Sequence, residues 1–160
     1  MENAVRALYI AAGVLIGIMI LSLAVVIFSN LQSYVETSNE EIRFNEITRF
    51  NAKFTKYINY TEGKKQFDLT IQDIVTVASV AYESNNSYNP DSTKWGEPDP
   101  NSLYIAVNLD RNRIDKNIKD NMINLLQDNS EKKFRCDETS VTYSDKTGRI
   151  IVINFRTETE

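Results

Sequence analysis

Along this chain the spacing of apolar residues changes character twice. From Ala7 to Phe28 there are 22 residues without a charge. At about 1.5 Å per residue such a helix is ~33 Å long, which matches a hydrocarbon core of about 30 Å. A buried core helix is the other reading of such a run, but a domain this small cannot cover a helix on every face. A cleaved signal peptide would have an apolar region of about 7–15 residues ending in small residues. This run is longer and closes on Val25-Val26-Ile27-Phe28. The pattern predicts an uncleaved membrane-spanning helix over 7–28, behind a short tail, 1–6.

Beyond the span the apolar positions fall at helical spacing, which predicts an amphipathic helix over 29–62. Leu31, Val35 and Ile42 form one stripe, and Phe44, Ile47, Phe50, Phe54 and Ile58 form another. The change falls near Thr37-Ser38-Asn39. Ser38 followed by Glu41 has the form of a capping box, so a second helix is expected to start there. Either the helix bends at 37–39, or it stays straight and changes partners. The aromatic stripe is read as the face packed on the domain.

Glu62-Gly63-Lys64-Lys65 breaks the pattern, and the remainder, 63–160, reads as a small α+β domain. Thr70 and Asp73 form a second capping box, opening a helix to about Glu83 with Ile71, Ile74, Val75, Ala78 and Tyr82 on its apolar face. A loop from Ser84 to Asn101 holds all three prolines and the single tryptophan, Trp95. Leu103 to Leu109 reads as a strand. Ile114, Ile118, Met122 and Leu125 recur at helical spacing, giving a helix to about Gln127. Ser140–Tyr143 and Arg149–Phe155 alternate like half-buried strands around Asp145-Lys146-Thr147-Gly148, a hairpin. The expected architecture is helices packed on a three- to four-stranded antiparallel sheet. There is no internal repeat.

Charge narrows the partners. The net charge is −4, and removing Glu2 and Arg6 with the anchor leaves the rest at −4. An acidic domain is repelled by phosphate backbones, so nucleic acid is not an expected partner. The tail carries its amino group and Arg6 against Glu2, whereas Glu36, Glu40, Glu41 and Glu46 follow the span against Arg43 alone. That bias places the N-terminus inside and the domain outside.

The chain has no histidine, which removes the commonest general base and the commonest zinc ligand together. Cys136 is the only cysteine and reads as a strand residue. The five glycines build no phosphate-cradling loop, and no nucleophile elbow or Cys/His metal spacing is present. Asp91, Glu97 and Asp99 lack EF-hand spacing, so the loop around Trp95 reads as a solvated or partner-contacting segment. No catalytic, cofactor-binding or metal-binding residues are expected, and no cofactor; the chain reads as a non-enzyme. Within the span, Gly13 and Gly17 stand four residues apart, either as ordinary glycine usage in a membrane helix or as a groove for a second helix.

A membrane helix running into an amphipathic helix, then a small α+β domain closed by antiparallel strands, resembles the type IV pilins and pseudopilins. The opening Met1-Glu2-Asn3-Ala4, with Ala7-Leu8 and Ile10-Ala11-Ala12-Gly13-Val14-Leu15-Ile16, is similar to a group of small single-span proteins of Gram-positive anaerobes associated with pilus-like secretion systems. The resemblance implies that the apolar helix becomes a filament core and that a glutamate near the N-terminus pairs with a neighbour's amino terminus. By position Glu2 would take that role; the other reading is an i,i+4 ion pair with Arg6 on the same helix. Pilins carry a short basic leader, and none stands ahead of this span, which sets the expected processing apart from theirs.

The expected function is therefore that of a single-pass membrane subunit of a pilus-like or secretion-associated assembly. Its partners would be itself, as a homo-oligomer or extracellular filament, the membrane, and secretion or pilus assembly proteins. The competing expectation is a non-polymerising accessory subunit of a secretion or conjugation channel, with an interaction domain outside the cytoplasm.

Overall fold

The computed structural model describes residues 2–99 and 103–158, so Pro100 and Asn101, at the end of the expected loop, lie outside the described residues. The chain divides into two compact units, Met1–Asn45 and Glu46–Glu160.

The described residues of the first unit, 2–45, all belong to α1, Glu2–Thr55. Its side chains are almost all exposed, including Leu31, Val35, Ile42 and Phe44. No helix starts at Ser38. The helix runs unbroken through 37–39, and the Thr37 hydroxyl donates to the Ser33 carbonyl at 3.0 Å, a bond a mid-helix threonine makes. The sequence Thr37-Ser38-Asn39 imitates a cap, yet without glycine or proline it leaves the helical ladder intact.

The second unit is α+β. It begins with the last turns of α1, which end at Thr55 rather than near 62. The expected aromatic stripe is only partly a packing face. Phe54 is fully buried and Phe50 packs beside it, their ring centres 5.1 Å apart, while Phe44 is 69% exposed. After α1 comes a short hairpin, β1 (Tyr60–Thr61) and β2 (Lys64–Lys65), turning through Glu62 and Gly63 at φ +49° and +77°.

Helix α2, Ile71–Tyr88, opens where the capping box predicts: the Thr70 amide and hydroxyl both donate to Asp73 Oδ2, at 2.9 and 2.7 Å. It buries Ile71, Ile74, Val75, Val77, Ala78 and Ala81. It ends one turn later than expected, because Asn85 extends its inward face.

The sheet is mixed, which corrects the expected antiparallel arrangement. Among the described residues it has five strands: β3 (Ala106–Leu109), β4 (Asn112–Arg113), β5 (Phe134–Arg135), β6 (Val141–Tyr143) and β7 (Ile150–Thr157). Central β7 runs parallel to β3, with Ala106 opposite Val152 and Leu109 opposite Phe155. Its other edge is shared by β6 and β5, both antiparallel. The parallel pair arises because a crossover containing α3, Ile118–Asp128, separates β3 from β7, whereas β6 and β7 are joined by a short turn. That turn is the expected hairpin, with Gly148 at φ +69°. β3 is shorter than expected because Ile105 pairs with a side chain instead of a strand. The Asn85 amide donates to the Ile105 carbonyl and accepts from its N–H, both at 2.8 Å.

The core lies between α2 and the sheet, closed by Phe54, Ile118, Phe134, Ile153 and Phe155. Two buried polar groups hold its rim. Asn59, just after α1, donates to the Phe134 and Phe67 carbonyls and accepts from Cys136 N. Asp115 accepts from Arg113 Nε, Val107 N and Asn85 Nδ2 at 3.0–3.2 Å. The buried side chains of Asn59 and Asp115 are thereby paired rather than stranded.

Candidate functional site

The charged residues of the second unit gather most densely where β7 ends. Glu158 Oε2 lies 2.6 Å from Lys65 Nζ, and its Oε1 accepts from the Tyr60 hydroxyl at 2.8 Å. Lys65 also reaches Asp68 at 2.8 Å, and Lys133 meets Asp68 at 3.3 Å. Arg135 pairs with Asp137 at 2.8 Å and stacks over the Tyr60 ring at 4.1 Å. Tyr60, Lys133, Arg135, Asp137 and Glu158 line an open groove of about 720 Å³.

The network orders its own titration. The hydrogen bond from Lys65 holds the Glu158 carboxyl below its ordinary value. Asp68 is lowered by Lys65 and then Lys133. The bond to Glu158 raises Tyr60, and the two carboxylates raise Lys65. Bases and acids here are spent on one another, which suits fastening the end of β7 to the β1–β2 hairpin.

Trp95 was expected on a partner-contacting loop and instead belongs to the interior. It is 1% exposed, and its indole N–H donates to the Asn89 carbonyl at 2.7 Å. Its ring lies edge-on to Tyr82 and stacks on Tyr104. The acids of that loop are separated: Asp91 caps Thr93, and Glu97 lies 3.9 Å from Arg113. No group of three or more metal-type ligands is found among the described residues. Cys136 directly follows β5, is buried, and its thiol is pushed up to about 12, chiefly by burial.

In the first unit, Glu2 and Arg6 form the i,i+4 pair, Oε1 to Nη2 at 3.4 Å, both side chains solvent-exposed. Nothing lies within 4 Å of a Cβ built on Gly13 or Gly17. At 100° per residue, Gly13, Gly17, Ala24, Phe28, Leu31, Val35 and Ile42 fall within roughly a sixth of a turn. Because the helix is unbroken at 37–39, the small residues of the span and the apolar positions beyond it share this face. By length and composition α1 can cross a membrane, and none of its apolar window is buried.

Compared with protein families, curated proteins and solved structures, the chain matches none of them. Its function is argued from these two units alone. Sequence reasoning missed Asn59, Asn85 and Asp115, which set the rim of the core. Asn85 had a signal: it continues the 71, 74, 78, 81 spacing of the buried face of α2.

Proposed function

We propose that this chain is a non-enzymatic, single-pass membrane subunit that self-associates through its N-terminal helix, in a pilus-like or secretion-associated assembly. One observation carries the reading. The face from Gly13 to Ile42 is continuous, apolar and uncovered by any other part of the first unit. Over 7–28 the bilayer satisfies it. Beyond Phe28 it would meet water with Leu31, Val35 and Ile42 exposed. A second copy in the same membrane presents the same face at the same depth. In lipid the contact comes from close backbone approach, which Gly13 and Gly17 permit. The absence of histidine and of any nucleophile motif in the sequence supports a structural rather than a chemical role.

The test is crosslinking and negative-stain imaging of the full chain in mild detergent and in liposomes, beside Gly13→Leu/Gly17→Leu. Nothing lies within 4 Å of a Cβ added at either glycine, so lost assembly points to neighbours rather than to a contact within the chain. The parent is expected to form oligomers that the double variant loses. A parent that stays monomeric at high concentration sinks the proposal and turns the reading to the accessory subunit. Glu2→Ala separates the pilin-like role: the Glu2–Arg6 pair is exposed and contributes little, so assembly that survives its loss discards a Glu2 contact to a neighbour.

A further inference from the structure

One base of the groove at the end of β7 takes no part in the network around Glu158. Arg156 is exposed and forms no hydrogen bond or ion pair among the described residues. Its neighbour across the ladder is a second cation: in the antiparallel pairing of β5 with β7, Arg156 stands directly opposite Arg135. Opposed residues of such a pair project from one face, and like charges there repel. Both arginines line the groove. Arg135 is fixed in place, since its Nε donates to Asp137 at 2.8 Å and its guanidinium lies 4.1 Å from the Tyr60 ring centre. Its two Nη nitrogens make no hydrogen bond among the described residues and are left to donate elsewhere. Of the acids in the groove, Asp137 is held by Arg135, and Glu158 by Lys65 and Tyr60. Glu131 and Lys132, both exposed and without an ion pair among the described residues, offset each other.

We infer that the Arg135–Arg156 pair is a docking site for the carboxylates of an acidic peptide segment of a partner protein. Two guanidinium groups on one face present planar donor forks that match carboxylates. A carboxylate set between them removes the repulsion that the free protein carries. The groove is open and lined mostly by charged residues, whereas sites for small organic molecules are concave and largely apolar. It therefore suits a segment of chain recognised by its charge. The net charge of −4 disfavours a nucleic acid as the source of the anion. Matching of this kind sets partner choice and association rate more than affinity. The site belongs wholly to the second unit and does not depend on self-association through α1.

The test follows the fluorescence anisotropy of a labelled oligoglutamate peptide titrated with the full chain in a mild neutral detergent at low salt. The parent is expected to bind oligoglutamate and not oligoserine, and added salt should weaken the binding. Arg156→Gln should weaken it severalfold. Arg156→Glu should abolish it and, by setting a carboxylate opposite Arg135, raise the urea midpoint of the second unit above that of the parent. Arg49→Gln/Lys53→Gln/Lys56→Gln, which neutralises exposed bases that do not line the groove, should leave the peptide affinity unchanged. A parent that ignores oligoglutamate, or binding that survives Arg156→Glu, overturns the assignment. So does a single-stranded oligonucleotide bound more tightly than the peptide at the same salt. An Arg156→Glu midpoint at or below the parent's shows that no uncompensated repulsion stands at the pair, and overturns it as well.

Discussion

The guanidinium carbon of Arg149 lies 3.8 Å from the ring centre of Phe50. Arg149 sits in the turn between β6 and β7, and Phe50 in the final turns of α1. The same guanidinium donates to the Tyr88 hydroxyl at 2.8 Å and to Ser84 Oγ at 3.0 Å, both on α2. One side chain thus joins three elements. Beside it Asn51 donates to the Gly148 carbonyl at 2.8 Å and accepts from Ile150 N at 2.9 Å, so the turn is gripped on both sides of Arg149.

Loss of that junction should be measurable. Arg149→Ala is expected to destabilise the second unit by about 1–3 kcal/mol, combining a cation–π contact with two hydrogen bonds. Arg149→Lys should recover only part, because an ammonium cannot cover the ring and reach both hydroxyls at once. Urea unfolding of a fragment beginning at Ser38 reads both. A lysine variant as stable as the parent would show that charge alone matters at this position.

The two phenylalanines of α1 should differ. Phe54 is fully buried, so Phe54→Ala is expected to cost about 3–5 kcal/mol. Phe50 keeps one side open to Arg149 and solvent, and Phe50→Ala should cost clearly less. The same fragment should unfold cooperatively, since the buried aromatic belongs to it. Equal costs for the two substitutions would mean that Phe50 is as enclosed as Phe54.

The parts of the fold that periodicity controls were legible in the sequence: the apolar span, α2 with its Thr70–Asp73 start, α3, and the β6–β7 hairpin. What escaped was decided by contacts across the chain. Ser38 and Glu41 have the spacing of a cap, but a cap forms only where the helix is broken, and nothing breaks it there. The parallel pairing of β3 with β7 depends on where the crossover lands, which no local pattern encodes. Trp95 reads as a loop residue by its prolines and acids. Only the neighbouring Tyr82 and Tyr104 rings, 13 residues before it in sequence and 9 after, draw it inside. The candidate surface on α1 was half legible: Gly13 and Gly17 were visible, whereas their continuity with Leu31, Val35 and Ile42 required the unbroken helix.

Acid should loosen the end of β7. The folded pKa of Glu158 is lowered, first by Lys65, so the unfolded chain takes up that proton first as the pH falls. Its contribution is present above the ordinary value of 4.5 and is lost as the pH drops through the lower folded value. Asp68 behaves in the same sense from 3.8 downward. Lys65, raised above its ordinary 10.5, keeps its contribution until the solution is more alkaline than that. The stability gap between the parent and Glu158→Gln should therefore be flat near neutrality and close in the acid range. Urea midpoints measured along a pH series check this, and a gap that widens on acidification would contradict the assigned pairing.

Orientation follows from the charges that flank the span. Arg6 and the amino group stand within a six-residue tail before it, whereas Arg43 is the first base after it, 15 residues beyond Phe28, so the second unit is expected outside the cytoplasm. The chain supplies its own control for a thiol-labelling test. Cys136 is buried with its thiol pushed up to about 12, so almost none of it is the reactive thiolate at neutral pH. The parent should stay unlabelled by a maleimide until it is unfolded. Lys94→Cys places a thiol on the loop that Trp95 anchors, at a side chain 68% exposed. The change gives up only a surface contact to Asp91, which still accepts from Thr93. Intact cells treated with a membrane-impermeant maleimide should label Lys94→Cys and not the parent. Labelling of Lys94→Cys only after lysis would put the domain on the cytoplasmic side.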